Sequence, residues 1–404
     1  MSEVADDMKS SGLALAGVQF FFTLGWTVYA LMLPGLLATA GIAVSCLPVL
    51  LMADQLIFAV MDIGFGVAAD RMGEGYRRLA KLLLLLSTLS AVAFMLLPLA
   101  AGISPGMSSG ILLGVLVVWV LSTSVVRAPT LVLLAKQAKA AQQRSLVIWY
   151  LAGMGLASAL SPFLGLWLKG ADPRLPFTVS GVTLLLAVVV LLRVSGKGVA
   201  AKGEENPPQP ASFSAYAPLL LVLGLAAFGF QIHAFVNAAP LYMAQAAKEN
   251  LPWLMPLLWV GFFVTLIGVE PLVKRLGAMP MATLGILLTA LSSYTSAAVN
   301  GQNVLILLQL LAGAGWALAF AGLMEQAAVA GSRGAEGRFM GGFFAVTAIC
   351  VLARIDFATQ WLPNLKEVQF VLPAALLLAA GLIAAVNARK WAKNPAAFPL
   401  GGRI

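Results

Sequence analysis

This sequence contains a series of apolar runs, each long enough to cross a lipid bilayer, and they limit the folds that it can adopt. A helix needs about 20 apolar residues to span the hydrocarbon core. Twelve such runs are predicted, at residues 11–39, 43–70, 78–101, 106–136, 145–168, 174–195, 214–246, 251–273, 278–299, 302–329, 337–362 and 366–391. Only 10% of the 404 residues are charged, against about 25% in soluble proteins. The runs lack the alternation of membrane β-strands, so we predict an all-α integral membrane protein with twelve transmembrane helices.

The distribution of lysine and arginine predicts the orientation of these helices, because cytoplasmic loops of membrane proteins carry an excess of both. With the N-terminus inside, nineteen of the 25 cations fall on the cytoplasmic side and four on the opposite side. The remaining two, Arg127 and Arg354, lie within predicted helices. We therefore predict a multi-pass protein of the cell (inner) membrane, with both termini cytoplasmic and the first apolar run retained as a helix. We expect a monomer.

A polar segment near the middle of the chain, residues 196–212, lacks aromatic residues and contains three prolines. This composition is typical of a linker. It predicts an N-terminal six-helix bundle at 1–195, a cytoplasmic linker at 196–212 and a C-terminal six-helix bundle at 213–404. The halves also share a pattern, since Arg71-Met-Gly73 and Arg275-Leu-Gly277 each follow the second helix of a half. Repeated six-helix units are known in secondary transporters.

The densest charge of the first half follows the second predicted helix. It stands in the pattern Gly64-x-Gly66-x3-Asp70-Arg71-x-Gly73-x3-Arg77-Arg78. This pattern resembles the signature of the major facilitator superfamily, roughly G-x-L-a-D-r-x-G-r-r. Gly66 replaces the leucine of that signature, and Glu74-Gly75 lengthens its basic tail.

The resemblance implies two pseudo-symmetric six-helix bundles and secondary transport by alternating access. It also implies that Asp70 contacts the start of the eleventh helix, Arg338-Phe-Met-Gly341-Gly342, and holds the cytoplasmic side closed. The small residues there would let a carboxylate approach exposed backbone N–H groups. The expected cytoplasmic gate motif therefore consists of Gly64, Asp70, Arg71, Gly73, Arg77 and Arg78. The alternative is that Asp70 and Arg71 are ordinary solvated loop charges.

Polar side chains within the predicted helices are the candidate substrate-binding or coupling residues, because an ionisable group in a membrane is costly and rare. The resemblance places helices 1, 4, 7 and 10 around the cavity. The candidates from both arguments are Asp54, Arg127, Gln231, His233, Asn237, Trp316, Glu325, Arg354 and Asp356. For His233, the only histidine, a hydrogen-bonded structural role is the alternative to a proton relay.

Two kinds of chemistry follow from these residues. A dehydrated carboxylate that can take up a proton, such as Asp54 or Glu325, could couple transport to H⁺. Arg127 and Arg354 could together hold a carboxylate or phosphate, although Arg127 could equally pair with Asp54, Asp62 or Asp70. Arg354 and Asp356 are two residues apart and cannot face each other on a helix, so each is expected to have a partner elsewhere or to face the cavity.

We predict a secondary active transporter of a small organic solute, with an anion favoured and H⁺ as the coupling ion. The alternatives are a proton-antiport exporter, whose glycine-proline pattern Gly153 to Gly165 loosely resembles, and a sensor or channel on the same fold. No phosphate-binding loop and no His/Cys cluster occurs. We therefore expect no enzymatic activity, no cofactor, no metal site and no nucleic-acid partner; the expected partners are the small-molecule substrate, the proton and the lipid bilayer.

Overall fold

The computed structural model describes residues 2–72, 76–104, 107–135, 140–195, 213–331, 335–365 and 368–393. The predicted linker and Gly73 lie outside these residues. Within them the regular structure is helical throughout, without strands. Before the linker lie α1 (Ser2–Thr39), α2 (Leu47–Arg71), α3 (Tyr76–Ala101), α4 (Ser108–Thr123), α5 (Ala128–Ala135), α6 (Ala140–Trp167) and α7 (Arg174–Ser195). We call this part the first half.

The second half follows residue 212 and contains nine helices in its described residues. They are α8 (Phe213–Ile232), α9 (Ala238–Met243), α10 (Leu251–Leu254), α11 (Pro256–Ile267), α12 (Val269–Leu276), α13 (Ala278–Ala298), α14 (Gln302–Gly331), α15 (Glu336–Asp356) and α16 (Leu372–Lys393). A π-helical segment, His233–Asn237, joins α8 to α9, and a second one, Phe357–Trp361, follows α15.

Eleven helical segments of the described chain are long and apolar enough to cross a membrane. A twelfth, Leu372–Asn387 within α16, is apolar but shorter. These twelve segments follow the order of the twelve predicted runs, which confirms the predicted all-helical membrane fold. At the last span, helix begins at Leu372 and not at residue 366. Pro373 stands at the second position of that helix, where its missing N–H costs no hydrogen bond.

The fourth and seventh spans are interrupted four residues before a proline. Proline lacks an N–H, and its ring presses against the carbonyl four positions earlier. In the fourth span Pro129 therefore disturbs the turn at Val125, which lies in the 3-10 segment Ser124–Val126. In the seventh span Pro240 disturbs the turn at Val236, inside the π-helical segment, where the Ala238 N–H bonds to the His233 carbonyl five residues back. The local sequence thus puts Arg127 and His233 at breaks in their helices.

The two halves touch most closely where α2 crosses α15. A side chain at Gly66 would collide with the backbone of Gly337 and Gly341, and one at Gly341 would collide with the Asp62 carbonyl. The helices therefore meet backbone to backbone, as small residues allow in membranes. The crossing lies near the end of α2 and the start of α15; because the sequence assigns this end to the cytoplasm, we call it the inner end.

Glycines in the fifth span also serve helix packing. A Cβ at Gly153 would collide with the Ala16 carbonyl of α1, and one at Gly155 would contact the Phe262 ring of α11. Helix α6 thus packs against its own half on one side and against the second half on the other. The glycine pattern that loosely resembles an exporter motif is used here for close packing.

We predict that Gly66→Ala destabilises the protein and that Gly64→Ala does not. The added methyl group at residue 66 forces α2 and α15 apart, a type of overpacking that costs about 1–3 kcal/mol. Gly64 is exposed, and a methyl group added there would have no atom of another element within 4 Å. The apparent unfolding temperature in detergent measures the difference, and equal temperatures for the two variants would contradict the tight crossing.

Candidate functional site

Asp70, in the last turn of α2, caps the first turn of α15 across the boundary between the halves. Its Oδ1 accepts a hydrogen bond from the Gly337 N–H at 2.7 Å. Its Oδ2 accepts from the Arg338 N–H at 2.9 Å and from the Arg338 Nε at 3.2 Å. The first N–H groups of a helix have no partner within that helix, and a carboxylate at that end is also favoured by the helix dipole. Asp70, in the first half, therefore supplies the hydrogen-bond acceptors that the first N–H groups of α15, in the second half, lack within their own helix.

The other residues of the predicted gate motif do not share this contact in the described chain. Gly64 is exposed, and the glycine at the crossing is Gly66. Arg71, Arg77 and Arg78 are exposed at the inner end. The residue that departs from the family signature, Gly66 in place of leucine, is thus the one that permits close contact with α15.

A second ion pair joins the halves between α6 and α14. The Arg144 Nε lies 2.7 Å from the Glu325 Oε1, and the two side chains are 24% and 9% exposed. Arg144 was expected as a cytoplasmic loop cation, and Glu325 as a cavity or coupling residue. The short distance gives a charge-assisted hydrogen bond, which is stronger than a neutral one.

Arg127, between α4 and α5, contacts both halves. Its Nη2 lies 3.4 Å from the Asp62 Oδ2 of α2. The same nitrogen donates to the Phe344 carbonyl at 3.2 Å and reaches the Thr347 Oγ1 of α15 at 3.4 Å. The guanidinium also lies over the rings of Phe58 and Phe344, 4.8 Å and 5.6 Å from their centres. Of the three aspartates considered as partners, the ion pair is with Asp62.

The break beside Arg127 is stabilised from α1. The Gln19 Nε2 donates to the Val126 carbonyl at 3.0 Å, and the Thr130 hydroxyl donates to the same oxygen at 2.7 Å. Gln19 is 2% exposed. The Gln19 side chain of α1 therefore satisfies a carbonyl that the helix break leaves free.

Asp54 is fully buried in the first half. The Tyr29 hydroxyl donates to its Oδ2 at 2.7 Å, while its Oδ1 has no hydrogen-bond partner among the described residues. Aromatic rings surround Tyr29: Trp26 and Trp119 lie 5.2 Å and 4.5 Å from it, between ring centres. The carboxylate is thus held between α1 and α2 next to an aromatic cluster.

The polar set of the seventh span lies at the π-helical segment. The Asn237 Nδ2 donates to the Gln369 carbonyl at 2.8 Å. His233 lies beside Gln309 of α14, yet its Nε2 and both amide atoms of Gln309 lack a hydrogen bond of good geometry. The Oε1 atom of Gln231 is likewise buried without a partner in the described chain. Sequence reasoning missed Gln309, although a lone amide within an apolar span was a signal that could have found it.

Aromatic side chains dominate the same region of the second half. Trp316 stacks on Phe230 with ring centres 4.2 Å apart and planes at 7°. Trp259 of α11 contacts both Phe230 and Phe235, at 5.8 Å and 6.2 Å. These rings connect α8, α11 and α14 by aromatic contacts.

Arg354 of α15 extends towards this aromatic group. Its guanidinium lies over the Phe235 ring at 4.8 Å, and its Nε is buried without a hydrogen-bond partner in the described chain. Asp356 instead accepts a hydrogen bond from the Trp361 Nε1 at 3.0 Å. Arg354 and Asp356 do not pair with each other, as their spacing predicted. Arg354 also lies seven residues, about 10 Å along the helix, from Thr347, the α15 contact of Arg127.

Residues suited to a metal or cofactor are not clustered in the described chain: no three His, Cys, Asp or Glu side chains lie together as metal ligands would. Cys46 is exposed and Cys350 is buried, where its thiol donates to the Gly224 carbonyl at 3.3 Å. The chemistry available inside the membrane therefore comes from charged pairs, aromatic rings and isolated amides.

Comparison with known proteins identifies the family of this chain. Residues 15–353 match the description of the Major Facilitator Superfamily, whereas a search of curated proteins finds no match. The fold is similar to that of the human organic anion transporter MFSD10 (TETRAN), with a TM-score of 0.74, 16% identity and coverage of 93% of this chain and 99% of that one. It is also similar to a bacterial homologue of the iron transporter ferroportin in an outward-facing state with soaked iron, with a TM-score of 0.70, 14% identity and coverage of 95% and 99%. The family match covers most of the sequence and the helical architecture agrees with it, so this chain is a membrane transporter that belongs to the Major Facilitator Superfamily.

Proposed function

We propose that this protein is a secondary active transporter that moves a small organic anion by alternating access, coupled to protons, and that it has no enzymatic activity. The observation that carries the substrate class is the state of Arg354. It is an intramembrane arginine whose buried Nε has no hydrogen-bond partner, and it has no carboxylate within ion-pair distance in the described chain. An arginine keeps its charge in proteins, so an anionic group is the natural counterion.

The surroundings of Arg354 favour an organic anion with an apolar or aromatic body. Phe235 lies directly under the guanidinium, and Trp259 lies next to Phe235. Such rings bind apolar surface and stabilise a neighbouring cation at the same time. The human protein of similar fold is described as an organic anion transporter; at 16% identity this agreement concerns the fold, and the proposal depends on the residues of this chain.

The two-arginine clamp predicted from the sequence is thereby reduced to one arginine. Arg127 has a counterion in Asp62 and hydrogen bonds to α15, so its charge is already compensated. We therefore propose Arg354 as the anion-binding residue and Arg127 as a contact between the halves. Asp356, engaged with Trp361, is not part of this proposed site.

The contacts at the inner end support the alternating-access part of the proposal. Asp70 with Gly337 and Arg338, and Arg144 with Glu325, each join the two halves there. Such contacts stabilise a state closed at the inner end and have to break before that end can open. We propose that they form the inner gate and do not bind substrate.

We predict that Arg354→Gln raises the KM for an organic anion about tenfold or more, because a hydrogen bond to a charged group contributes about 1.5–3 kcal/mol. Uptake of a panel of organic acids into proteoliposomes with an imposed pH gradient measures this and identifies the substrate class. Arg354→Lys should retain part of the affinity, and Asp356→Asn is the matched control. Unchanged KM in Arg354→Gln would contradict the proposed anion site, and absence of any solute uptake by the wild type would contradict transport.

We predict that Asp70→Asn slows turnover more than it weakens substrate binding. The asparagine side chain lacks the negative charge with which Asp70 caps α15. The state closed at the inner end is therefore less stable. The measurement compares maximal transport rate with substrate Kd, and Arg71→Gln, an exposed neighbour, is the control. Loss of binding with intact conformational exchange would show that Asp70 belongs to the substrate site.

We predict that Arg144→Gln and Glu325→Gln each reduce transport, because each leaves one mostly buried charge without its partner. Exchanging the two residues, Arg144→Glu with Glu325→Arg, should restore part of the rate. The pH dependence of transport distinguishes this gate from a coupling role. If Glu325→Gln abolished the response to a pH gradient while leaving substrate exchange intact, Glu325 would be the coupling residue and not a gate residue.

A further inference from the structure

An ion pair of the first half, at its boundary with the second half, lies deeper in the membrane than the inner gate. The residues at this position are Asp62 of α2, Arg127 at the break in the fourth span, and Phe344 and Thr347 of α15. Asp62 is fully buried and the Arg127 side chain is 11% exposed. Asp62 and Arg127 belong to the first half, whereas Phe344 and Thr347 belong to the second. One guanidinium thus holds a carboxylate of its own half and a backbone carbonyl of the other.

The position of Arg127 is determined by the chain around it. The break before Pro129 gives Arg127 a non-helical backbone, with φ −80° and ψ −96°. The rings of Phe58 and Phe344, one from each half, both lie within 5.6 Å of its guanidinium carbon. The arginine is therefore fixed between α2 and α15, next to their glycine crossing.

The charge of Asp62 is compensated by Arg127 alone, whereas the other two aspartates of α2 also accept hydrogen bonds. Asp54, Asp62 and Asp70 are spaced by eight residues, about 12 Å along the helix axis. Asp54 accepts a hydrogen bond from Tyr29, and Asp70 accepts from two backbone N–H groups. Neither oxygen of Asp62 has a hydrogen bond in the described chain, so the ion pair with Arg127 is its only compensation.

Within the described part of the chain, the other groups that contact the pair carry no charge at neutral pH. Tyr150 of α6, which is 3% exposed, lies near both Asp62 and Arg127. From α15 the pair meets the Phe344 carbonyl, the Phe344 ring and the Thr347 hydroxyl. The backbone of Asp62 itself packs against Gly341. A change of charge at Asp62 therefore acts on Arg127 and on the contact with α15.

We propose that Asp62 is the carboxylate that accepts the coupled proton, and that its neutralisation opens the crossing between α2 and α15. This rests on the proposed proton-coupled transport. With Asp62 charged, its pair with Arg127 keeps the arginine against α15 and the inner end closed. When a proton binds an Asp62 carboxyl oxygen, Arg127 remains positive but loses its counterion.

The direction of the switch follows from the cost of a buried, uncompensated charge. Removing one partner of a buried ion pair is strongly destabilising, because the other charge stays in a medium of low dielectric. The cost falls if water reaches Arg127, and water enters when α2 and α15 separate. Proton uptake by Asp62 therefore shifts the population towards the state open at the inner end.

The experiment measures the opening of the inner end as a function of pH. Spin labels are attached at Lys81 and Arg275, exposed residues at the inner ends of the two halves, after Cys46 and Cys350 are replaced by alanine. In the wild type, the longer inter-label distance should gain population as pH falls. Asp62→Asn should show the longer distance at every pH, since it mimics the protonated acid. Asp54→Asn, the other buried aspartate of α2, is the control and should keep the pH response.

A second variant covers the case in which Asp62→Asn alone is unstable. Asp62→Asn combined with Arg127→Gln removes both charges, so it should fold, lack the pH response and favour the shorter distance. A pH response that persists in either Asp62 variant, or is absent from the wild type, would overturn the proposal.

Substrate assays separate this proposal from the proposed function. Asp62→Asn should retain exchange of labelled for unlabelled organic anion across the vesicle membrane and lose accumulation driven by a pH gradient. If accumulation persists in Asp62→Asn, the coupling role of Asp62 is wrong while transport stands. If the wild type exchanges no organic anion, the proposed substrate class is wrong, and the spin-label distances still decide whether Asp62 controls the crossing.

Discussion

The contact on which the arrangement of the halves depends is the backbone-to-backbone crossing of α2 and α15 at Gly66, Gly337 and Gly341. Because no side chain separates the helices there, charged groups one turn away on α2 can reach across. Asp70 reaches the N-terminus of α15, and Asp62 holds Arg127 against Phe344 and Thr347 of the same helix. Larger residues at the crossing would move both carboxylates out of reach. The close packing thus makes the polar contacts possible.

Lipid makes each of these polar contacts more consequential than it would be in a soluble protein. An intramembrane charge needs a partner or access to water, and most of the described ones have a partner: Arg127 with Asp62, Arg144 with Glu325, and Asp54 with Tyr29. Arg354 differs because its guanidinium lies over an aromatic ring and its buried Nε has no hydrogen-bond partner in the described chain. The need of an intramembrane charge for a partner therefore distinguishes the paired residues from Arg354, which is suited to bind an anion.

Much of the fold could be predicted from the sequence, whereas the division of roles among its polar residues could not. The twelve spans follow from apolar length. Proline alone does not predict the breaks in the fourth and seventh spans, because Pro34, Pro98 and Pro162 lie within continuous helices. Glu325 was expected as a cavity or coupling residue because it lies in an apolar helix; its pairing with Arg144, 181 residues away, depends on how α14 is rotated. Gly64 matched the family signature, yet Gly66 makes the contact, because only one of them faces α15.

From the sequence follow the helical membrane fold and the identity of the charged residues that lie inside the membrane. These properties are local, because the bilayer acts on each segment separately. Which charges meet is a property of the tertiary structure. Asp70 contacts a residue 267 positions later, and Arg127 contacts one 217 positions later. Such pairs depend on the rotation and crossing of helices from different halves, and that geometry is set by packing between helices far apart in the sequence.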